Sequence, residues 1–306
     1  MSRCPAGSRC SAAPHDFLRE PGTARTVCGE RWADLAGTVV LTAALALLVV
    51  PLIEGREAGW PAWTWAGMAA GILALLCFAR VENRVAAGGG SPLVRPGLVR
   101  ERSFAVGMLL VLLAYSGINS FFLVLSVTVQ DGLGLGPLGA GVFYLPFAVA
   151  FFTGSVVAGR TARHGRQLLR TGALILAAGH AAAVAVALYA GATLSAQLLA
   201  GPLLVIGLGN GLLVTPLLHN VLSRIRPAET GMASGVLSTG QQVGGAVGVA
   251  LVGVLFYGTL GDAAHHDAGA YGHALTCALA LNIALDAAIL ALLRLLPDDL
   301  APPQAR

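Results

Sequence analysis

The chain has 306 residues, of which 56% are hydrophobic and 11% charged, with a mean hydropathy of +0.75. A soluble domain carries about 25% charged residues, so this chain lacks the polar side chains to cover a water-facing surface, and its solvent is lipid. All 19 basic residues are arginine and the net charge is +4; the arginines are dispersed between apolar stretches, which argues against a nucleic-acid-binding face and for membrane orientation.

In chain order, residues 1–33 are polar and rich in Arg, Pro and Ser. They lack the apolar core of a signal peptide and read as a disordered cytoplasmic tail. Eight apolar stretches follow, at 35–53, 61–79, 104–128, 138–158, 168–190, 194–218, 232–257 and 271–296. About 20 such residues cross a hydrocarbon core as a helix. Unbroken runs without period-2 alternation select helices over a barrel, because in lipid the backbone must satisfy its own hydrogen bonds. Every arginine except Arg56 falls on one side of the resulting alternation, while Glu54, Glu57, Asp131, Asp262 and Asp267 fall on the other. The arginine side is the cytoplasm by the positive-inside rule, which places both termini inside a plasma-membrane protein. Trp60, Trp63 and Trp65 stand at the outer end of the second span, where an aromatic belt is expected.

Five cysteines match no zinc or Cys-x-x-Cys spacing. Cys77 and Cys277 lie in apolar runs and are expected to pack as small hydrophobes. His265, His266 and Asp267 read as a solvated outer loop, and neither a metal nor another cofactor is expected. No Walker A motif, Gly-x-Ser-x-Gly elbow or His-Glu-x-x-His occurs, so nothing supports ATP-driven transport or hydrolysis.

The polar residues inside the spans are few. Gly240, Gly244 and Gly248 recur every four residues and form a smooth helical face, suited to a static packing seam or to a sliding contact. Gln241 and Gln242 lie in the first turns of the same helix, and as amides in an apolar span they need partners; they line a polar path or tie helices together. Gly207-Leu208-Gly209-Asn210-Gly211 fails the dinucleotide spacing and reads as a deformable helix, with Asn210 lining a cavity. Pro146 and Pro216 allow local bends. In the third span Ser116 and Ser120 share a face with Asn119 beside them, for a substrate cavity or for interhelical hydrogen bonds. Asp286 lies close to mid-membrane, where a carboxylate is costly and marks a functional site; it serves proton coupling, faces a wet cavity, or bonds to Asn282 one turn earlier. His180 is a lone histidine among alanines, which is more often packed and neutral than functional.

Several segments together resemble the fourteen-helix drug/proton antiporters of the major facilitator superfamily, the EmrB/QacA type. They are Trp32-Ala33-Asp34-Leu35-Ala36-Gly37; Glu54-Gly55 with Gly59-Trp60; Phe78-Ala79-Arg80-Val81-Glu82-Asn83-Arg84; Arg100-Glu101-Arg102-Ser103-Phe104; Gln130, Gly134, Gly141 and Leu145-Pro146; and 231–250. The resemblance covers roughly residues 31–297. It implies an all-α integral membrane fold: a six-helix C-terminal bundle at 104–297, preceded by two linker helices at 34–80 and a cytoplasmic linker at 81–103, with a cytoplasmic tail at 298–306. It also implies that six N-terminal helices are missing, and with them the proton-site acid and the antiporter motif. Gly159-Arg160-Thr161-Ala162-Arg163-His164-Gly165-Arg166 resembles the superfamily's cytoplasmic loop motif without its usual Asp, so Arg160, Arg163 and Arg166 serve orientation rather than an acid–arginine latch.

The expected function is therefore one wall of a proton-coupled multidrug exporter. Asn119, Asn210, Gln241, Gln242 and Asp286 are the candidates for its substrate or proton pathway. Its partners are the bilayer, hydrophobic or cationic small molecules, protons, and a separate N-terminal half or a homodimer partner. The alternatives are a non-transporting truncated fragment or regulatory partner and, more remotely, a membrane enzyme acting on lipid.

Overall fold

The computed structural model describes residues 39–40, 42–44, 46–51, 54–55, 59, 61–87, 102–161, 165–223, 225, 230–261 and 268–295. The expectations for the two terminal tails, Arg163, Trp60 and the His265–Asp267 loop lie outside these residues, as does most of the 81–103 linker.

The described secondary structure is helical. A short apolar helix α1 (Thr42–Pro51) precedes α2 (Ala62–Ala87), then α3 (Arg102–Val127), α4 (Pro137–Phe143), α5 (Leu145–Arg160), α6 (Gly165–Ala190), α7 (Ala196–Ser223), α8 (Thr230–Leu260) and α9 (Ala268–Leu295). Among the described residues, six segments are long and apolar enough to cross a bilayer: α3 with its terminal turn, α4 with α5, and each of α6 to α9. Of the eight stretches expected, the first two form shorter apolar helices, Thr42–Pro51 and Ala62–Phe78. These two pack together through Gly67 and Gly71: a Cβ on Gly71 would lie 2.9 Å from the Ala44 carbonyl oxygen, and one on Gly67 2.9 Å from Pro51 Cγ. Helix α2 also runs about two turns past residue 79, because neither glycine nor proline interrupts the chain before Gly88.

Two irregularities shape the six spans. Helix α3 ends in a π-helical turn, Thr128–Gly132, which lets Gly132 sit against the ring of Tyr271 before Gly134 turns the chain at φ +68°. The fourth span breaks at Tyr144 into α4 and α5. Pro146 has no N–H to continue the ladder, so the bend expected at that proline is a short break.

Helix α7 is the most deeply buried span and packs on α5 and α6. Helix α3 packs on α8 and α9, α6 on α9, and α3 more lightly on α7. Exchanging α3, α5 and α6 for α7, α8 and α9 reproduces these main contacts. An odd number of spans per repeat makes the two repeats antiparallel, which is the inverted-repeat construction of secondary transporters.

The outside is apolar. Leu138, Val149, Phe152, Leu188 and Leu251 are more than half exposed, which in water would be an aggregation hazard and in lipid matches the solvent. For the same reason Cys77 is exposed rather than packed inside, and Cys277 is half-buried.

Candidate functional site

Close helix contact is built from glycine. On α7, Gly207 and Gly211 stand one turn apart and face α5, against the backbone oxygens of Phe147 and Phe151. Gly209, on another side of the same turn, faces α6, where a Cβ would come 2.6 Å from the Leu176 nitrogen. The segment expected to be deformable is thus one continuous helix, with Pro202 and Pro216 inside it, whose glycines admit two neighbours at once. On α8, Gly240, Gly244 and Gly248 lie along Met108, Leu112 and Ser116 of α3. A Cβ on Gly244 would be 2.5 Å from the Leu112 carbonyl oxygen, and at Gly248 the contact with the Ser116 backbone is closer still.

Four of the packed helices surround a water-sized cavity. It is lined by Leu113, Ala114, Gly117, Ile118 and Phe121 of α3, Leu176 and His180 of α6, Asn210 of α7, and Asp286 and Ile289 of α9. His180, Asn210 and Asp286 each lie near the middle of their helices. His180 Nδ1 is 2.7 Å from Asp286 Oδ2, and the two side chains are 3% and 4% exposed. The ring of Phe121 meets the imidazole edge-on, with centroids 5.4 Å apart. The separation is that of a hydrogen bond, with the imidazole nitrogen and the carboxylate oxygen as its two ends.

Beside this pair, the single hydroxyl proton of Ser120 has two acceptors in reach, Asn282 Oδ1 at 3.0 Å and the Gly117 carbonyl at 2.9 Å, while Asn282 Nδ2 donates to Ala278 O at 3.2 Å. Asn282 is therefore engaged with α3, and the partner of Asp286 is His180. The reading of His180 as a lone packed histidine is corrected: the acid that completes it stands 106 positions away. His180, Ser120 and Asn282 were not among the pathway candidates, although Ser120 was expected to face a cavity or to bond between helices, and it does the latter.

Two buried atoms at the cavity have no protein partner, His180 Nε2 and Asn210 Oδ1. The Asn210 amide is oriented by its Nδ2, which donates to Ile206 O at 3.2 Å. Leaving either atom dry costs about 1–3 kcal/mol.

The other expected residues sit elsewhere. Asn119 donates to Tyr115 O at 2.9 Å and lies against Gly245 in the α3–α8 seam. Gln241 is half-buried and Gln242 exposed on α8. In the cytoplasmic loop motif, Gly159 and Arg160 end α5 exposed, and Gly165 starts α6 buried. Arg166 donates from Nε to Leu293 O at 3.0 Å and from Nη2 to Arg294 O at 3.1 Å. It thereby caps the carbonyls at the C-terminus of α9, where a cation is favoured by the helix dipole.

Residues 24–249 match the family model of the Major Facilitator Superfamily. The chain belongs to this superfamily. It is accordingly a multi-pass membrane protein of a transporter family, not an enzyme, and its six long helices are a major facilitator bundle. The probable actinorhodin transporter of Streptomyces coelicolor is 36% identical over 234 residues, covering 76% of this chain and 40% of that protein. The puromycin resistance protein pur8 of Streptomyces alboniger is 33% identical over 276 residues, 84% of this chain and 53% of that protein. The cephamycin export protein CmcT of Amycolatopsis lactamdurans is 36% identical over 256 residues, 79% of this chain and 51% of that protein. The chain spans about half the length of these curated relatives.

Proposed function

We propose that the chain forms the C-terminal half of a proton-coupled drug exporter of the fourteen-helix EmrB/QacA type, working in the plasma membrane with both termini cytoplasmic. Its substrates would be hydrophobic or cationic small molecules, a class suggested by the antibiotics in the relatives' names. The observation that carries the proton half of this reading is the buried His180–Asp286 pair. Ionisable groups at mid-membrane are expensive and characteristically mark proton relays. Here the pair joins the third helix of one repeat to the third helix of the other, so loading or unloading its proton changes the contact between two elements that a rocking bundle must move.

The remaining pathway candidates fit an arrangement in which a facing half completes the cavity. Gln242 and half-buried Gln241 would meet substrate from α8, and Asn119 would support them from behind. The two shorter apolar helices α1 and α2 would be the linker pair before the bundle.

The test is reconstitution in cells. The chain would be produced alone and together with the part of the puromycin resistance protein that it does not match, and dye efflux would be followed with and without a proton gradient. The expected result is gradient-dependent efflux from the pair and none from the single chain, with coupling lost in Asp286→Asn. Efflux by the single chain would instead assign the pathway to a homodimer. Inhibition of a complete exporter by the single chain would assign it a regulatory role.

A further inference from the structure

We propose that the cavity between α3, α6, α7 and α9 is a binding site for one water molecule, held between His180 Nε2 and Asn210 Oδ1. Both atoms are buried, both lack a protein partner, and both belong to residues that line a space with room for about one water. Asn210 offers an acceptor there, because its Nδ2 is committed to Ile206 O. His180 offers an atom whose character depends on the proton count of its pair with Asp286.

That dependence is what selects water. A buried site favours arrangements without net charge. The pair has two: imidazolium with carboxylate, and neutral imidazole with carboxylic acid. In both, Nδ1 and Oδ2 share one proton and Nε2 carries the other. Nε2–H then donates to the water, which donates to Asn210 Oδ1. When the pair loses one proton, Nδ1–H bonds the carboxylate and Nε2 becomes an acceptor. The same water now donates one hydrogen to Nε2 and the other to Asn210 Oδ1. Water satisfies both states by rotating in place, whereas a purely donating or purely accepting ligand satisfies one. A metal ion is disfavoured, since this lining offers one imidazole nitrogen, one amide oxygen and one carboxylate already bonded to the imidazole. Asp286 and His180 are the titratable side chains of the lining; α3 contributes only Leu113, Ala114, Gly117, Ile118 and Phe121, and α7 only Asn210.

The water also stands where a proton leaving Nε2 would go first. That use rests on the proton-coupling reading above; the binding site does not. The two are separated by measuring them separately. Infrared spectra of the purified full chain in lipid, recorded in ordinary and oxygen-18 water, should show a sharp isotope-shifted O–H band that disappears in Asn210→Leu. Proton NMR of the unsubstituted chain, labelled with nitrogen-15 histidine, should show a water cross-peak at the His180 Nε2 position. A hydrogen-bond coupling directly from His180 Nε2–H to Asn210, or no water cross-peak at that nitrogen, would overturn the site even if Asn210→Leu does not fold. In the two-half exporter, Asn210→Leu should slow drug-driven proton release at least tenfold. Unchanged release with the infrared band lost would confirm the water site and sink the proton-coupling use of it.

Discussion

His180 Nδ1 and Asp286 Oδ2 stand 2.7 Å apart across 106 positions of sequence, and this bond ties α6 to α9 inside the bundle. Both side chains are almost wholly buried, so each depends on the other for the polar partner that lipid and apolar neighbours withhold.

A double-mutant cycle measures that dependence. Asp286→Leu alone or His180→Phe alone should destabilise the bundle by about 3–5 kcal/mol, the cost of orphaning one member of a buried pair. The double variant should recover most of the loss, because neither member of the pair is left behind without the other. Unfolding in mixed micelles gives the four free energies, and additive losses would show that the two residues act independently.

Glycine positions should divide sharply by what faces them. Gly248→Ala and Gly211→Ala drive a Cβ into the backbones of Ser116 and Phe151, and overpacking of this kind costs about 1–3 kcal/mol or more. Gly201→Ala, in the same helix as Gly211, meets nothing within 4 Å. It should be neutral or stabilising by up to about 1 kcal/mol, the propensity difference between glycine and alanine. Thermal unfolding midpoints of the three variants check the contrast.

Arg166→Ala removes two donors from the last carbonyls of α9. The site is partly exposed, so the expected loss of global stability is only about 1 kcal/mol. The local effect should be larger: hydrogen exchange at the end of α9 should accelerate while the middle of the helix is unchanged. Arg166→Lys should not restore protection fully, since an ammonium cannot reproduce the two-pronged geometry of the guanidinium.

Orientation is open to a labelling test. In a background with the five cysteines replaced by serine, Thr161→Cys at the end of α5 should react with a membrane-impermeant maleimide only after permeabilisation. Gly261→Cys at the end of α8 should react in intact cells. The reverse pattern would overturn the assignment of the arginine-rich side to the cytoplasm.

By itself, the sequence determined the elements and their solvent. Runs near 20 apolar residues with so few charges have no stable state except helices in lipid, and that is a local property of composition. The glycines of α8 were legible as a smooth face for the same reason: spacing along a helix fixes which residues share a side. The sequence also pointed to Asp286 and Asn210 as anomalies, because a polar group in an apolar run is visible without knowing its neighbours. What it left open were the partners. Whether Gly248 meets α3, whether Ser120 or Asp286 takes Asn282, and whether His180 is alone all depend on how the helices are arranged, and helical periodicity says nothing about arrangement. Only the tertiary structure decided these. Helix packing sets α3 and α6 against α9, so that Ser120 meets Asn282 and His180 meets Asp286 across more than a hundred residues of sequence, inside an apolar bundle that offers few other polar partners.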